Sequence, residues 1–292
     1  MTFLSLSPKS FLHKKLVPAS AAVLLVAVIS GFGTHAALGA EGITIAWTNN
    51  MLTIRSPKLA GDHLDIWYLE AFCRSGSTRR DWNQTTIPHR TELLQADPKH
   101  LRLRTRVGPD VEVLHEIRAG KDDVDFRVEL TNHGSQAADV QWFQPCMRVA
   151  HFTGLNQSNY IQRSFIFTRN GLTMLDQMPR AEEARYRGGQ VYVPAGIPIE
   201  DVNPRPISSE QPVNGLIGCF SADGKSLVAV AWDQTQELFQ GVIVCLHNDP
   251  RVGGLNPGEK KHLHGKVYLL PNNPETLVAR YSADFKAKRF WR

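Results

Sequence analysis

Between positions 101 and 130 the chain alternates apolar and charged residues almost one by one, and this period of two limits the folds open to it. Leu101, Leu103, Thr105 and Val107 are separated by Arg102, Arg104 and Arg106, and Val124, Phe126, Val128 and Leu130 by Asp125, Arg127 and Glu129. Successive side chains of a strand point to opposite faces, so each run predicts a strand with one buried and one wet side. A third strand, 111–117, lies between them, and Ala119-Gly120-Lys121-Asp122 reads as a hairpin turn. Further strands are expected at 43–47, 52–55, 64–72, 91–96, 140–149, 160–167, 215–221, 227–232, 238–246 and 263–270. Helix is scarce: 181–187 could make two turns, and 274–281 reads as a closing helix with Asn273 as cap and Pro274 first. Many short strands at this spacing predict an all-β sandwich or barrel.

The first forty residues read differently. Lys9, Lys14 and Lys15 precede an apolar run from Val17 to Phe32, and small residues follow to Ala40, the order of a secretory signal peptide. A retained membrane anchor is the alternative, since the run approaches the shortest span that crosses a bilayer. The expected organisation is a signal peptide at 1–40, one β domain at 41–285 and a basic tail at 286–292. The 33 Lys and Arg against 28 Asp and Glu suggest a basic protein, but removing the signal leaves 30 against 28. A surplus that small argues against a nucleic-acid partner. The expected location is periplasmic or extracellular, with no stable membrane anchor once the signal is cleaved. Cys73, Cys146, Cys219 and Cys245 are widely spaced, and the last three sit in apolar strand-like text, which favours free thiols over disulfides.

Several chemistries are missing from the sequence. It holds neither a phosphate-binding Gly-x-x-x-x-Gly-Lys-Ser/Thr loop nor a Gly-x-Ser-x-Gly elbow. His115-Glu116 opens like a zinc-protease motif, but Ala119 stands where its second His belongs. Asp62-His63-Leu64-Asp65 has ligand-type side chains at a spacing that matches no metal motif. No metal and no cofactor are therefore expected.

Three segments could carry chemistry. In Gln141 to Arg148, alternation places Trp142, Gln144 and Arg148 on similar sides, a flat ring beside an amide and a guanidinium that suits a sugar. A core Trp and a structurally paired Arg would read the same way. In Trp232 to Gln240, Asp233 and Glu237 stand near a strand connection, where a carboxylate acts as acid or base if buried and is otherwise a solvated turn residue. His247 emerges from an apolar strand and either shuttles a proton, binds a metal or is structural. His89 is a similar candidate. Arg205, stiffened by Pro204 and Pro206 within the Pro-rich stretch 194–212, could clamp a carboxylate over a cleft.

The middle of the chain, Leu101 to Val149, together with Leu238 to Leu270, where Gly254-Leu255-Asn256-Pro257-Gly258-Glu259 precedes a long final strand, resembles the galactose mutarotase-like sandwich domains. The mature chain as a whole also resembles a family of exported bacterial proteins that supplies no activity. The resemblance implies a large antiparallel β-sandwich, or supersandwich, with a carbohydrate-facing surface. Where those domains carry a His-Pro pair this chain has Gln144-Pro145, which weakens a simple sugar-epimerase reading.

The leading expectation is an exported carbohydrate-binding or carbohydrate-active protein with a cleft lined by Trp142, Gln144, Arg148, Arg205, Trp232, Glu237 and His247, and His89 nearby. As an enzyme it would be an epimerase or a polysaccharide lyase: His247 and Glu237 would exchange protons, and Arg148 would hold the carboxylate of an acidic sugar. The alternatives are a non-catalytic cell-envelope interaction module and a metal-dependent hydrolase using some of the His residues.

Overall fold

In the computed structural model, residues 42–187 and 189–285 are described; the expected signal peptide and basic tail lie outside them. Sixteen strands run along the described chain: β1 (Thr44–Thr48), β2 (Met51–Arg55), β3 (His63–Cys73), β4 (His89–Asp97), β5 (His100–Val107), β6 (Val111–Ala119), β7 (Asp123–Asn132), β8 (Trp142–Arg148), β9 (Ser164–Thr168), β10 (Gly171–Met174), β11 (Gln190–Tyr192), β12 (Ile217–Phe220), β13 (Ser226–Trp232), β14 (Thr235–Gln240), β15 (Cys245–Pro250) and β16 (Lys260–Pro271). One sheet has seven strands in the order β1-β2-β3-β8-β15-β14-β11, and the other has nine, β10-β9-β12-β13-β16-β7-β6-β5-β4. The ladders between neighbouring strands are antiparallel. The protein is thus an all-β sandwich, as its periodicity requires.

The alternating runs form β5, β6 and β7, which lie side by side next to the β4 edge of the larger sheet. Leu101, Leu103 and Val107 of β5 are buried against the smaller sheet, while Arg102 and Arg106 face water. Ile54, Ile66, Phe143, Met147, Leu238 and Leu246 answer them from the smaller sheet in one continuous core. Burying each such side chain contributes about 1.5–3 kcal/mol, and adding every second residue of a strand is what makes the alternation decisive. Helices are short among the described residues, the longest being Pro274–Asp284. Its Asn273 side chain accepts a hydrogen bond from the Thr276 N–H at 2.9 Å, the cap expected there. None is long and apolar enough to cross a membrane.

Two expected strands differ in the structure. The run 160–167 opens as a 3-10 turn, Tyr160–Arg163, and only Ser164–Thr168 pairs. The run 238–246 is a hairpin, β14 and β15, whose turn 241–244 exposes Val242 and Ile243. Apolar residues at that turn hide it in the sequence. Gly241 makes it possible, since a Cβ there would overlap the Cys245 sulfur. The short strands β10 and β11 were too brief to show a period.

The Pro-rich stretch is an ordered excursion across the outer face of the smaller sheet. Gly76 N–H donates to Asp201 Oδ1 at 2.8 Å, Ser77 Oγ to Val202 O at 2.6 Å and Gln236 Nε2 to Asp201 O at 3.0 Å. Val191, Val193 and Val202 pack on Phe239 beneath it.

Candidate functional site

The outer face of the smaller sheet presents its side chains in rows, because antiparallel partners stand opposite one another. Trp67 of β3 pairs with Cys146 of β8, and Ala71 pairs with Gln144. Cys245 of β15 pairs with Arg148, and the same register reaches the bridge between Trp142 and Arg251, which sets His247 beside Cys146. Phe239 of β14 pairs with His247 and Glu237 with Asp249. One row therefore reads Trp67, Cys146, His247, Phe239, and the next Ala71, Gln144, Asp249, Glu237.

Pro145 distorts this lattice. It has no N–H for the ladder, and β3 bulges opposite it, with residues 68–70 lying between the pairs Trp67–Cys146 and Ala71–Gln144. The bulge turns Glu70 into a cleft of about 490 Å³, whose lining also includes Trp67, Trp82, Gln144, Cys146, Arg205, Phe239, Cys245 and His247. Trp67 and Trp82 supply aromatic surface, and the Pro-rich excursion supplies Asn203, Pro204 and Arg205 from above.

Behind the His247 wall lies a buried acid cluster. His247 Nδ1 stands 3.6 Å from Asp249 Oδ1, with both side chains almost wholly buried. Glu237 is fully buried, and its Oε2 accepts from the Asn203 N–H at 2.8 Å. Glu70 Oε2, Arg148 Nε, Glu237 Oε1, His247 Nδ1 and both Asp249 carboxylate oxygens are buried without a hydrogen bond. Buried polar groups are ordinarily paired, so this concentration on one face is unusual. Burial, then the neighbouring Asp249, pushes the Glu237 carboxyl well above its usual range. Burial likewise raises Asp249 to about 6, although His247 works against it. Burial penalises a charged imidazole at His247, yet Cys146 and Asp249 together hold its pKa well above the ordinary value. Two carboxyls and an imidazole sharing protons inside a cleft wall can accept or release one.

The structure brings together some of the expected site residues and separates others. Gln144, Arg205 and His247 line the cleft. Arg148 stands beside it, its guanidinium 5.7 Å from the Trp67 ring centroid. Trp142 is fully buried under Trp82, ring centroids 6.3 Å apart, and so supports the floor without offering a face to a ligand. Glu237 lies behind the wall, within a strand, where a connection had been expected. His89 occupies an adjoining recess with Trp67, Glu70 and Trp82, its ring nitrogens facing Leu69 O and Ile87 O. Trp232 is a correction: it packs between the sheets against Phe126 and Phe143, centroids 5.8 and 5.5 Å away. Asp233 lies in the connection between β13 and β14, as expected, and accepts from the His264 N–H at 3.1 Å. The four cysteines are free and buried.

Trp67, Glu70, Trp82, Cys146, Cys245 and Asp249 escaped the sequence reading. Cys245-x-His247-x-Asp249 does carry a signal, three polar or nucleophilic side chains on one strand face. Glu70 carries none, because only the bulge aims it.

No protein-family model matches the chain, and no curated protein does. Among solved structures it is similar to a galactose mutarotase-like protein from Lactobacillus casei, at 10% identity over 78% of this chain and 100% of that one, TM-score 0.41. It is also similar to a galactose mutarotase related enzyme from Lactobacillus acidophilus, at 9% identity over 78% and 97%, TM-score 0.42. A galactose 1-epimerase from the same organism aligns at 9% identity over 79% and 98%, TM-score 0.36. At these identities and scores the likeness fixes neither substrate nor activity.

Proposed function

We propose that this is an exported carbohydrate-binding protein whose cleft takes a sugar and moves a proton on it. The observation that carries this reading is the meeting, in one concavity, of the Trp67 and Trp82 rings with Glu70, Gln144, Arg205 and the proton-sharing wall of His247. Aromatic rings stack on the apolar face of a pyranose, while carboxylate, amide and guanidinium groups bond its hydroxyls. Arg205 on the rim and Arg148 behind Trp67 favour an acidic sugar. His247 is the proton-transfer group that meets the sugar, and Asp249 and Glu237 act through it. A flat interaction surface would need no such buried proton-sharing cluster, and this argues against the envelope-module reading. Export rests on the basic, apolar and small-residue order of the first forty residues.

A thermal-shift screen of the metal-free protein against neutral and acidic oligosaccharides tests this. The expected result is stabilisation by an acidic sugar, weakened at least tenfold in Trp82→Ala and Arg205→Ala. No shift with any sugar would overturn it.

A further inference from the structure

We propose that Cys146, Cys245 and His247 form a binding site for a thiophilic metal ion of the zinc class, with its fourth coordination position open to the cleft. The proposal goes beyond the carbohydrate reading and does not depend on it. One ligand atom from each residue lies within 4.8 Å of the other two, and Cys245 Sγ stands 3.2 Å from His247 Nε2. Around a tetrahedral zinc, with bonds of about 2.3 Å to sulfur and 2.0–2.1 Å to nitrogen, such atoms lie roughly 3.5–3.8 Å apart. Small side-chain rotations suffice. Cys245 and His247 are alternate residues of β15 and so share its face, and register brings Cys146 of β8 alongside.

The other two thiols show what a merely buried cysteine looks like here. Cys219 packs in the apolar core between the sheets, and Cys73 sits with Ala71 and Trp142. Cys146 and Cys245 instead line a cleft beside an imidazole nitrogen. The remaining nitrogen, Nδ1, faces Asp249, the carboxylate–histidine arrangement that fixes the tautomer of a metal-bound imidazole. Gly241 keeps the ligand atoms clear, since a Cβ there would overlap Cys245 Sγ and approach His247 Nε2 to 3.3 Å. Two thiolates and an imidazole select zinc over magnesium or calcium, and three protein ligands leave the fourth position free for water or an oxygen of a bound molecule. Nε2 serves one role at a time, proton transfer in the metal-free chain and ligation in the loaded one.

The test is a titration of fully reduced, metal-free protein with Co²⁺, without sugar. One Co²⁺ per chain is expected, with the intense visible bands of tetrahedral thiolate coordination, displaced by Zn²⁺. Cys146→Ser and Cys245→Ser should each weaken uptake at least tenfold and Asp249→Asn about 10- to 100-fold, whereas Cys219→Ser should leave it unchanged. If a serine variant fails to fold by circular dichroism, His247→Asn is read in its place. A weak octahedral spectrum from protein with its thiols titratable overturns the proposal. So does uptake of Cu⁺ with none of Co²⁺ or Zn²⁺. The sugar screen is run with chelator present, so either reading can fail alone.

Discussion

Glu237 and Asp249 stand directly opposite each other on β14 and β15, both fully buried and both on the face behind the cleft wall. Like charges so placed cannot both ionise in a desolvated site, so the pair retains a proton at pH values where ordinary carboxyls have lost theirs.

The pair makes stability depend on pH. A carboxyl whose folded pKa is raised contributes fully below its unfolded value, and that contribution is lost as pH rises through the folded one. For Asp249 the window runs from 3.8 to about 6. Asp249→Asn should therefore gain on the parent as pH rises from 4 to 7. Urea denaturation of both metal-free proteins across that range checks this, and parallel curves would contradict it.

His115 produces the opposite slope at its own site. It lies in the core, within 3.2 Å of the Tyr68 hydroxyl and 3.1 Å of Thr105 Oγ1, and burial lowers its pKa from 6.5 to about 3. The unfolded chain then binds a proton that the folded one refuses, so stability falls as pH drops from 6.5 towards 3. The slope is about 1.4 kcal/mol per pH unit. His115→Gln should remove this part of the acid sensitivity. The comparison is the pH dependence of the urea midpoint in the two proteins.

Trp232 should matter to the core and not to the cleft. Trp232→Phe is expected to cost about 1–3 kcal/mol and to leave sugar binding unchanged. Gly265→Ala should cost a similar amount, because the added Cβ would overlap the indole. Weaker sugar binding in a folded Trp232→Phe protein would return that residue to the site.

The closing helix is held by charge. Arg280 bonds Asp122 at 2.9 Å and Asp123 at 2.7 Å, and Lys266 reaches Asp123 at 2.9 Å. Arg280→Met should cost about 1–3 kcal/mol and speed proteolysis within 274–284. Part of the difference should vanish in high salt, since Arg280 is only partly buried. Equal cleavage rates in parent and variant would count against this.

Strand content was legible in residues such as Leu101 to Val107, because burial on one face imposes its period directly on the chain. The candidate site was legible in part. Gln144, Arg205 and His247 were recognisable by residue type, but Glu70 needed a bulge and Trp82 a short helix, neither of which leaves a period. The hairpin turn at 241–244 was masked because Val242 and Ile243 are as apolar as the strands they join.

Trp142 and Trp232 mark the boundary between the two kinds of information. Each sits at a strand end, and each reads equally well as core or as sugar platform. Local pattern determined that the chain is an antiparallel β protein and which residues share a strand face. Which face meets the other sheet, and which lies under the Pro-rich excursion, was decided only when distant strands paired. The same pairing brought Cys146 beside Cys245 and His247, and Glu237 opposite Asp249. Those contacts depend on the register between β8, β15 and β14, and register is set by burying whole faces at once, a property no single segment carries.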